Sequence, residues 1–349
     1  MARQAYLAII IVMAIQGLCM SSEQETLRAA ADSRGKLIGF AMRSRLDGPD
    51  KDQYLQVAAS QFNVLVAENA MKFGELCRGS RGEYNFAEAD AMVDFAKANR
   101  MKVRGHTLIW HSQQPRWLAE GTWTRDEMMQ IIREHIHAVV GRYRGKVFAW
   151  DVVNEALSNS HDPNEVYRST NFYEAIGPEY IDMAFRWARE ADPDAKLFYN
   201  DYGMDFGGPK FEKMLTMVKG MQERGVPIDG VGPQMHIGLW AQGKGPELAK
   251  AIRRIAALGL EVHITEMDVA VELPCDQEKL ARQAKIYGEI TRVAMEEPGC
   301  TALLLWGFTD RHSWIPSFSQ GRNGCALIFD EEYRPKPAYH AMLEAIRGR

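Results

Sequence analysis

An alternation constrains this chain more than any other feature. Short apolar or β-branched runs recur along its length, each followed by a polar or Gly-containing loop and then a stretch with helical spacing. The runs begin at Lys36-Leu37-Ile38-Gly39-Phe40, Asn63-Val64-Leu65-Val66, Lys102-Val103-Arg104-Gly105-His106 and Val147-Phe148-Ala149-Trp150. Four more follow at Lys196-Leu197-Phe198-Tyr199, Gly230-Val231-Gly232, Glu261-Val262-His263-Ile264-Thr265 and Thr301-Ala302-Leu303-Leu304-Leu305-Trp306. Between them, residues 87–98, 125–143, 180–191, 210–224, 245–258 and 277–297 carry apolar side chains at the period of an amphipathic helix. Eight strand candidates alternating with helices predict an α/β protein, a single-domain (β/α)8 barrel. A doubly wound sheet is the competing architecture, but no Gly-rich phosphate loop follows the first run.

Charge narrows the partners. Forty-two basic against 46 acidic residues leave a net charge of -4, with no basic excess to neutralise a phosphate backbone. Nucleic acid is therefore not expected as a partner. At the N-terminus, Arg3 precedes the apolar run Tyr6–Ile15, and small and polar residues follow. That order reads as a secretory signal over residues 1–22, with the barrel in 23–349. The run is shorter than the ~18 apolar residues of a spanning helix, so no stable membrane association is expected once the signal is removed. Cys19 is a candidate for lipid attachment after processing, although Leu18 before it is bulky. Of the remaining cysteines, Cys77, Cys275, Cys300 and Cys325, the pair Cys275 and Cys300 flanks one helical stretch and is a candidate bridge. Buried free thiols are the equal alternative.

Polar residues gather where the strand candidates end, the face on which barrel enzymes place their chemistry. Trp150-Asp151-Val152-Val153-Asn154-Glu155 closes the fourth, and Ile264-Thr265-Glu266-Met267-Asp268 the seventh. A single Glu at a strand end is usually a solvated loop carboxylate. Two of them, flanked by Asn, Asp and His, meet the requirement of glycosidic bond cleavage, in which one carboxyl protonates the leaving oxygen and the other attacks carbon or activates water.

Around these glutamates the chain resembles the glycoside hydrolase family 10 endo-1,4-β-xylanases, from about Gly35 to Tyr339. The matching stretches include Glu68-Asn69-Ala70-Met71-Lys72, Gly82-Glu83-Tyr84-Asn85-Phe86, Arg104-Gly105-His106-Thr107-Leu108-Ile109-Trp110-His111-Ser112-Gln113 and the two glutamate motifs. Asn200-Asp201-Tyr202, Gln234-Met235-His236, Trp306-Gly307 and Ser313-Trp314 continue the order. The resemblance implies a TIM barrel and a retaining mechanism, with Glu155 as acid/base and Glu266 as nucleophile. It implies that Asn154 bonds the 2-hydroxyl of the sugar being cleaved, and that His236, oriented by Asp268, holds Glu266. Glu68, Asn69, Lys72, His106, Trp110 and Gln113 would line the non-reducing side of a sugar cleft. Trp306 and Trp314 would offer flat faces to the sugars, and Gln234 would touch the surroundings of Glu155. The expected partners are xylan and xylo-oligosaccharides. No cofactor or metal is expected, because two carboxylates suffice for this reaction. A monomer is expected.

Departures from the family pattern bear on fine preference. After Lys72 the chain reads Phe73-Gly74-Glu75-Leu76-Cys77-Arg78, the strand-five motif ends in Gly203, and Pro233 and Met235 flank Gln234. The segment 311–324 makes contacts that the sequence does not predict. Two alternatives stay open here. One is a retaining glycosidase acting on another β-1,4-glycan such as a glucan; the other is a glycan-binding barrel without catalysis.

Overall fold

A computed structural model describes residues 25–348, so the expected signal over 1–22 and Cys19 lie outside the described residues. Eight parallel strands form the barrel: β1 (Leu37–Met42), β2 (Val64–Ala67), β3 (Lys102–Gly105) and β4 (Val147–Asn154), then β5 (Lys196–Asp201), β6 (Gly230–Pro233), β7 (Glu261–Glu272) and β8 (Cys300–Leu305). Each pairs with the next in chain order, and β8 returns to β1 in the register Leu37↔Ala302 to Phe40↔Leu305, which closes the sheet. Closure leaves the barrel no unpaired edge. The alternation of strand and helix read from the sequence is the fold of the chain, a single-domain (β/α)8 barrel.

Local chemistry explains where the helices stand. Thr124 and Glu127 close a reciprocal capping box at the start of Arg125–Arg142. Asp276 accepts the Lys279 N–H at the start of Gln277–Glu296. Pro209 and Gly208 open Pro209–Glu223, where proline replaces an N–H that would have no partner in the first turn. The main apolar core lies between the strands and the ring of helices, with Trp150, Tyr199 and Phe211 buried to 1% or less. Burying an aromatic side chain of that size contributes about 1.5–3 kcal/mol. Two strand glycines allow close approach inside the wall. A Cβ on Gly105 would lie 2.1 Å from the Trp150 ring, and one on Gly230 would lie 2.2 Å from Phe198.

The structure corrects two expectations. Strand β7 does not end at the Ile264–Asp268 motif but runs through it to Glu272. Beyond Glu266, Asp268–Ala270 pair with a short extended segment, His236–Gly238, and Val271–Glu272 pair with Asn323–Gly324. Those partners come from distant loops, so the local run of side chains carries no signal of the extension. The disulfide is Cys275–Cys325, with Cα atoms 6.6 Å apart, and Cys300 is a buried free thiol like Cys77. The reason is topological: Cys300 opens β8 at the end of the barrel opposite its mouth, whereas Cys275 follows the overrun of β7 at the mouth. Among the described residues, no helix is long and apolar enough to cross a membrane.

Candidate active site

The mouth of the barrel holds a cleft of about 780 Å³. Of the side chains singled out in the sequence, Glu68, Asn69, Lys72, His106, Trp110, Gln113, Asn154, Glu155, Gln234, His236, Glu266, Trp306 and Trp314 all line it. Asp268 stands just behind and touches the cleft through His236 and Trp314.

Each glutamate is held in a different way. Glu155 follows the last residue of β4 in left-handed backbone (φ 57°), its N–H donating to Asn200 O at 2.9 Å. For a residue with a Cβ that conformation carries strain. Trp110 Nε1 donates to Glu155 Oε2 at 3.0 Å and Gln234 Nε2 to Oε1 at 3.1 Å. Glu266 lies inside the extended β7, buried to 4%. Asn200 Nδ2 donates to its Oε1 at 2.7 Å, and His236 Nε2 lies 3.1 Å from Oε2.

The amide network joins the two carboxylates. Gln234 Nε2 and Asn200 Nδ2 both donate to Asn154 Oδ1, at 3.1 and 3.0 Å. With its oxygen occupied twice, the Asn154 amide turns its Nδ2 towards Glu155 Oε1, 3.4 Å away. The path Glu155–Gln234–Asn154–Asn200–Glu266 thus crosses the cleft floor through three amides.

Electrostatics favour the ionised form of Glu266. Burial resists ionisation of Glu266, but the neighbouring His106 and the His236 hydrogen bond outweigh it and hold the carboxyl below its ordinary range. Burial lowers the proton affinity of His236, yet Asp268 at 3.0 Å and Glu266 prevail and lift it to about 10. His236 is therefore an imidazolium at neutral pH, bonded to a carboxylate on each side. Beneath it, Asp151 accepts from His106 at 3.0 Å and pairs with Arg104, a buried chain whose head, His106 Nδ1, lies 3.9 Å from Glu266. On the Lys72 side, burial lowers the ammonium's proton affinity against the pull of Glu266, Glu68 and Glu155. Its Nζ donates to Asn69 Oδ1 and Gln113 Oε1, at 2.9 and 2.6 Å, and sits 4.8 Å over the Trp110 ring.

Some cleft residues were not assigned from sequence. Asn200 was visible only as part of a motif, although its side chain touches both Asn154 and Glu266. Tyr202, Asp205, Trp240 and Phe318 also line the cleft. A polar residue closing the fifth strand candidate was the one signal that pointed to Asn200. Trp110 was expected to line a sugar position, and its indole N–H also bonds Glu155. Trp314, expected as a platform, is half-buried and donates its N–H to Asp268 Oδ2 at 2.8 Å. Among the described residues, no group of three or more His, Cys, Asp or Glu side chains is arranged to hold a metal ion.

A (β/α)8 barrel whose mouth presents two carboxylates of contrasting environment, aromatic faces and a floor of amides belongs to the class of glycoside hydrolases. The chain belongs to glycosyl hydrolase family 10, whose sequence model matches residues 26–345. It is 43% identical over 337 residues to endo-1,4-beta-xylanase B of Thermotoga neapolitana, covering 95% of each chain. It is 42% identical over 304 residues to a beta-1,4-xylanase of Dictyoglomus thermophilum, covering 83% of this chain and 84% of that one. The crystal structure of xylanase 10B from Thermotoga petrophila RKU-1 in complex with xylobiose superposes with a TM-score of 0.89 at 42% identity, covering 93% of this chain and 97% of that one.

Proposed function

We propose that the chain is an endo-1,4-β-xylanase that cleaves internal bonds of xylan with retention, Glu266 acting as nucleophile and Glu155 as acid/base. The observation that carries this reading is the bridged pair of carboxylates. Glu266 is held ionised by His236 and His106, and Glu155 faces it across the Gln234–Asn154–Asn200 amides. Retention calls for carboxyls about 5–5.5 Å apart, the separation this pair is expected to have.

In the first displacement a Glu266 oxygen attacks the anomeric carbon from the α face while the bond to the leaving oxygen breaks. Glu155 gives its proton to that oxygen, so the leaving chain departs neutral and an α-linked glycosyl ester remains. Esterification removes the negative charge of Glu266, which lowers the proton affinity of Glu155 and suits it to act as base. A water then loses a proton to Glu155, its oxygen attacks the same carbon, and the Glu266 carboxylate leaves. The β configuration is restored. Asn154 Nδ2, oriented by its two amide neighbours, is placed to donate to the sugar 2-hydroxyl, a bond that strengthens as positive charge develops. Trp110 steadies the Glu155 carboxyl, and Glu68, Asn69, Lys72 and Gln113 take the hydroxyls of the non-reducing side. The Trp306 and Trp314 rings confine the sugar at the centre.

Product analysis on glucuronoxylan, arabinoxylan and carboxymethylcellulose side by side tests the substrate. The expected outcome is a ladder of xylo-oligosaccharides and little release from the cellulose derivative. Faster release from the latter, or monomer alone from chain ends, contradicts the reading. Export is part of the proposal. The apolar run at Tyr6–Ile15 and the Cys275–Cys325 disulfide, a bond kept in oxidising compartments, support it. N-terminal sequencing of the exported protein should start close to residue 23. The same proposal holds the chain to be a monomer, supported by the scarcity of large exposed apolar side chains, Trp240, Leu273 and Phe318 among the described residues. Sedimentation at equilibrium checks it.

A further inference from the structure

We propose that Trp240 is the floor of an additional sugar position at the leaving-group end of the cleft, binding a β-1,4-linked xylose unit beyond the first sugar on that side. The inference rests on the endo-acting reading above. Three large apolar side chains are exposed among the described residues, and two of them, Trp240 at 64% and Phe318 at 72%, line the same cleft as the glutamates. The cleft has two ends. Glu68, Asn69 and Lys72 rise from the loop after β2, while Tyr202, Asp205 and Trp240 rise from the loops after β5 and β6, next to the strand that carries Glu155. The proton donor must stand beside the leaving oxygen, so Trp240 lies where the departing chain runs.

The indole is built as a platform. It sits on the turn Leu239–Ala241, directly after the His236–Gly238 segment that pairs with β7. Phe206 meets the ring edge-on at 5.9 Å and 85°. Gly238 lies close against it, since a Cβ there would come within 3.2 Å of the ring. Arg282 Nη2 donates to Leu239 O at 3.3 Å, and the Glu289 carboxylate accepts from the Gly243 and Gly245 N–H groups at 2.9 and 2.8 Å. The turn is thus tied down on both sides of an exposed aromatic face. An uncharged pyranose, whose axial C–H groups form an apolar face, is the ligand that such a surface in line with this cleft fits.

The test compares wild type with Trp240→Ala and Trp240→Phe on xylohexaose and on p-nitrophenyl β-xylobioside, whose leaving group ends at the first position. For Trp240→Ala, kcat/KM on xylohexaose should fall about tenfold, the equivalent of ~1.4 kcal/mol. The aryl xylobioside should be cut at the wild-type rate, the xylohexaose cleavage pattern should shift, and Trp240→Phe should recover most of the loss. An unchanged rate on xylohexaose, or equal losses on both substrates, overturns the proposal. A lower sedimenting mass for Trp240→Ala would seat a second copy of the chain on this face and overturn it as well. A wild-type enzyme that cuts the aryl xylobioside but leaves xylohexaose intact contradicts the endo reading itself, whatever Trp240 does.

Discussion

His236 concentrates the electrostatics of the site in one ring. It bonds Asp268 through Nδ1 and Glu266 through Nε2, and the two carboxylates keep it charged up to about pH 10. Its charge in turn favours the ionised nucleophile. The acidic limb of kcat/KM reports the proton on the free enzyme's nucleophile, so it should lie below the ordinary carboxylate range. His236→Asn removes a positive neighbour, which disfavours the carboxylate, raises its proton affinity and moves that limb upward. A limb that stays in place contradicts this linkage. The two glutamates are separable by chemical rescue. On an activated aryl xylobioside, Glu266→Gly should be inactive until azide is added and should then yield the α-glycosyl azide, because azide enters from the vacated face. Glu155→Ala should keep turnover on the activated substrate and yield the β-glycosyl azide. The opposite assignment of anomers would exchange the two roles.

At the scale of elements, the parts legible in the sequence were those written in local side-chain pattern. All eight strands begin within a residue or two of the apolar runs, and the helix at Ala87–Ala98 occupies the residues its spacing predicts. What stayed hidden depends on partners far along the chain. The overrun of β7 needs His236–Gly238 and Asn323–Gly324, the disulfide needs the mouth loops to meet, and the Asn200 contact with Glu266 needs two strands to place side chains on one floor. The left-handed turns at Gln113, Glu155 and Met235 are equally silent in sequence, since none of these residues favours that backbone. Gly105 shows how tightly an element sets the site, because it sits against the buried Trp150 ring one residue before His106. Gly105→Ala should cost about 1–3 kcal/mol by overpacking, read as a lower denaturant midpoint at unchanged slope. Retained stability would show that β3 and β4 can part more easily than their packing implies.

The described residues form a closed barrel with its chemistry at one end and, among them, one covalent tie across that end. Cys275–Cys325 fastens the overrun of β7 to the segment after β8, closing a loop with a sequence separation of 50. Reduction, or Cys325→Ala, should lower stability by about 2–4 kcal/mol, and thermal unfolding with and without reductant reads the difference. An unchanged midpoint would leave the tie without a structural role. The near-neutral charge balance agrees with a cleft that uses a few fixed carboxylates, amides and indoles against an uncharged chain. The central claim is that Glu266 and Glu155 act in two successive displacements. Proton NMR of xylo-oligosaccharide hydrolysis, recorded before mutarotation, tests it most directly. The account predicts that the β-anomer appears first and the α-anomer grows in later; an α-anomer formed first would contradict it.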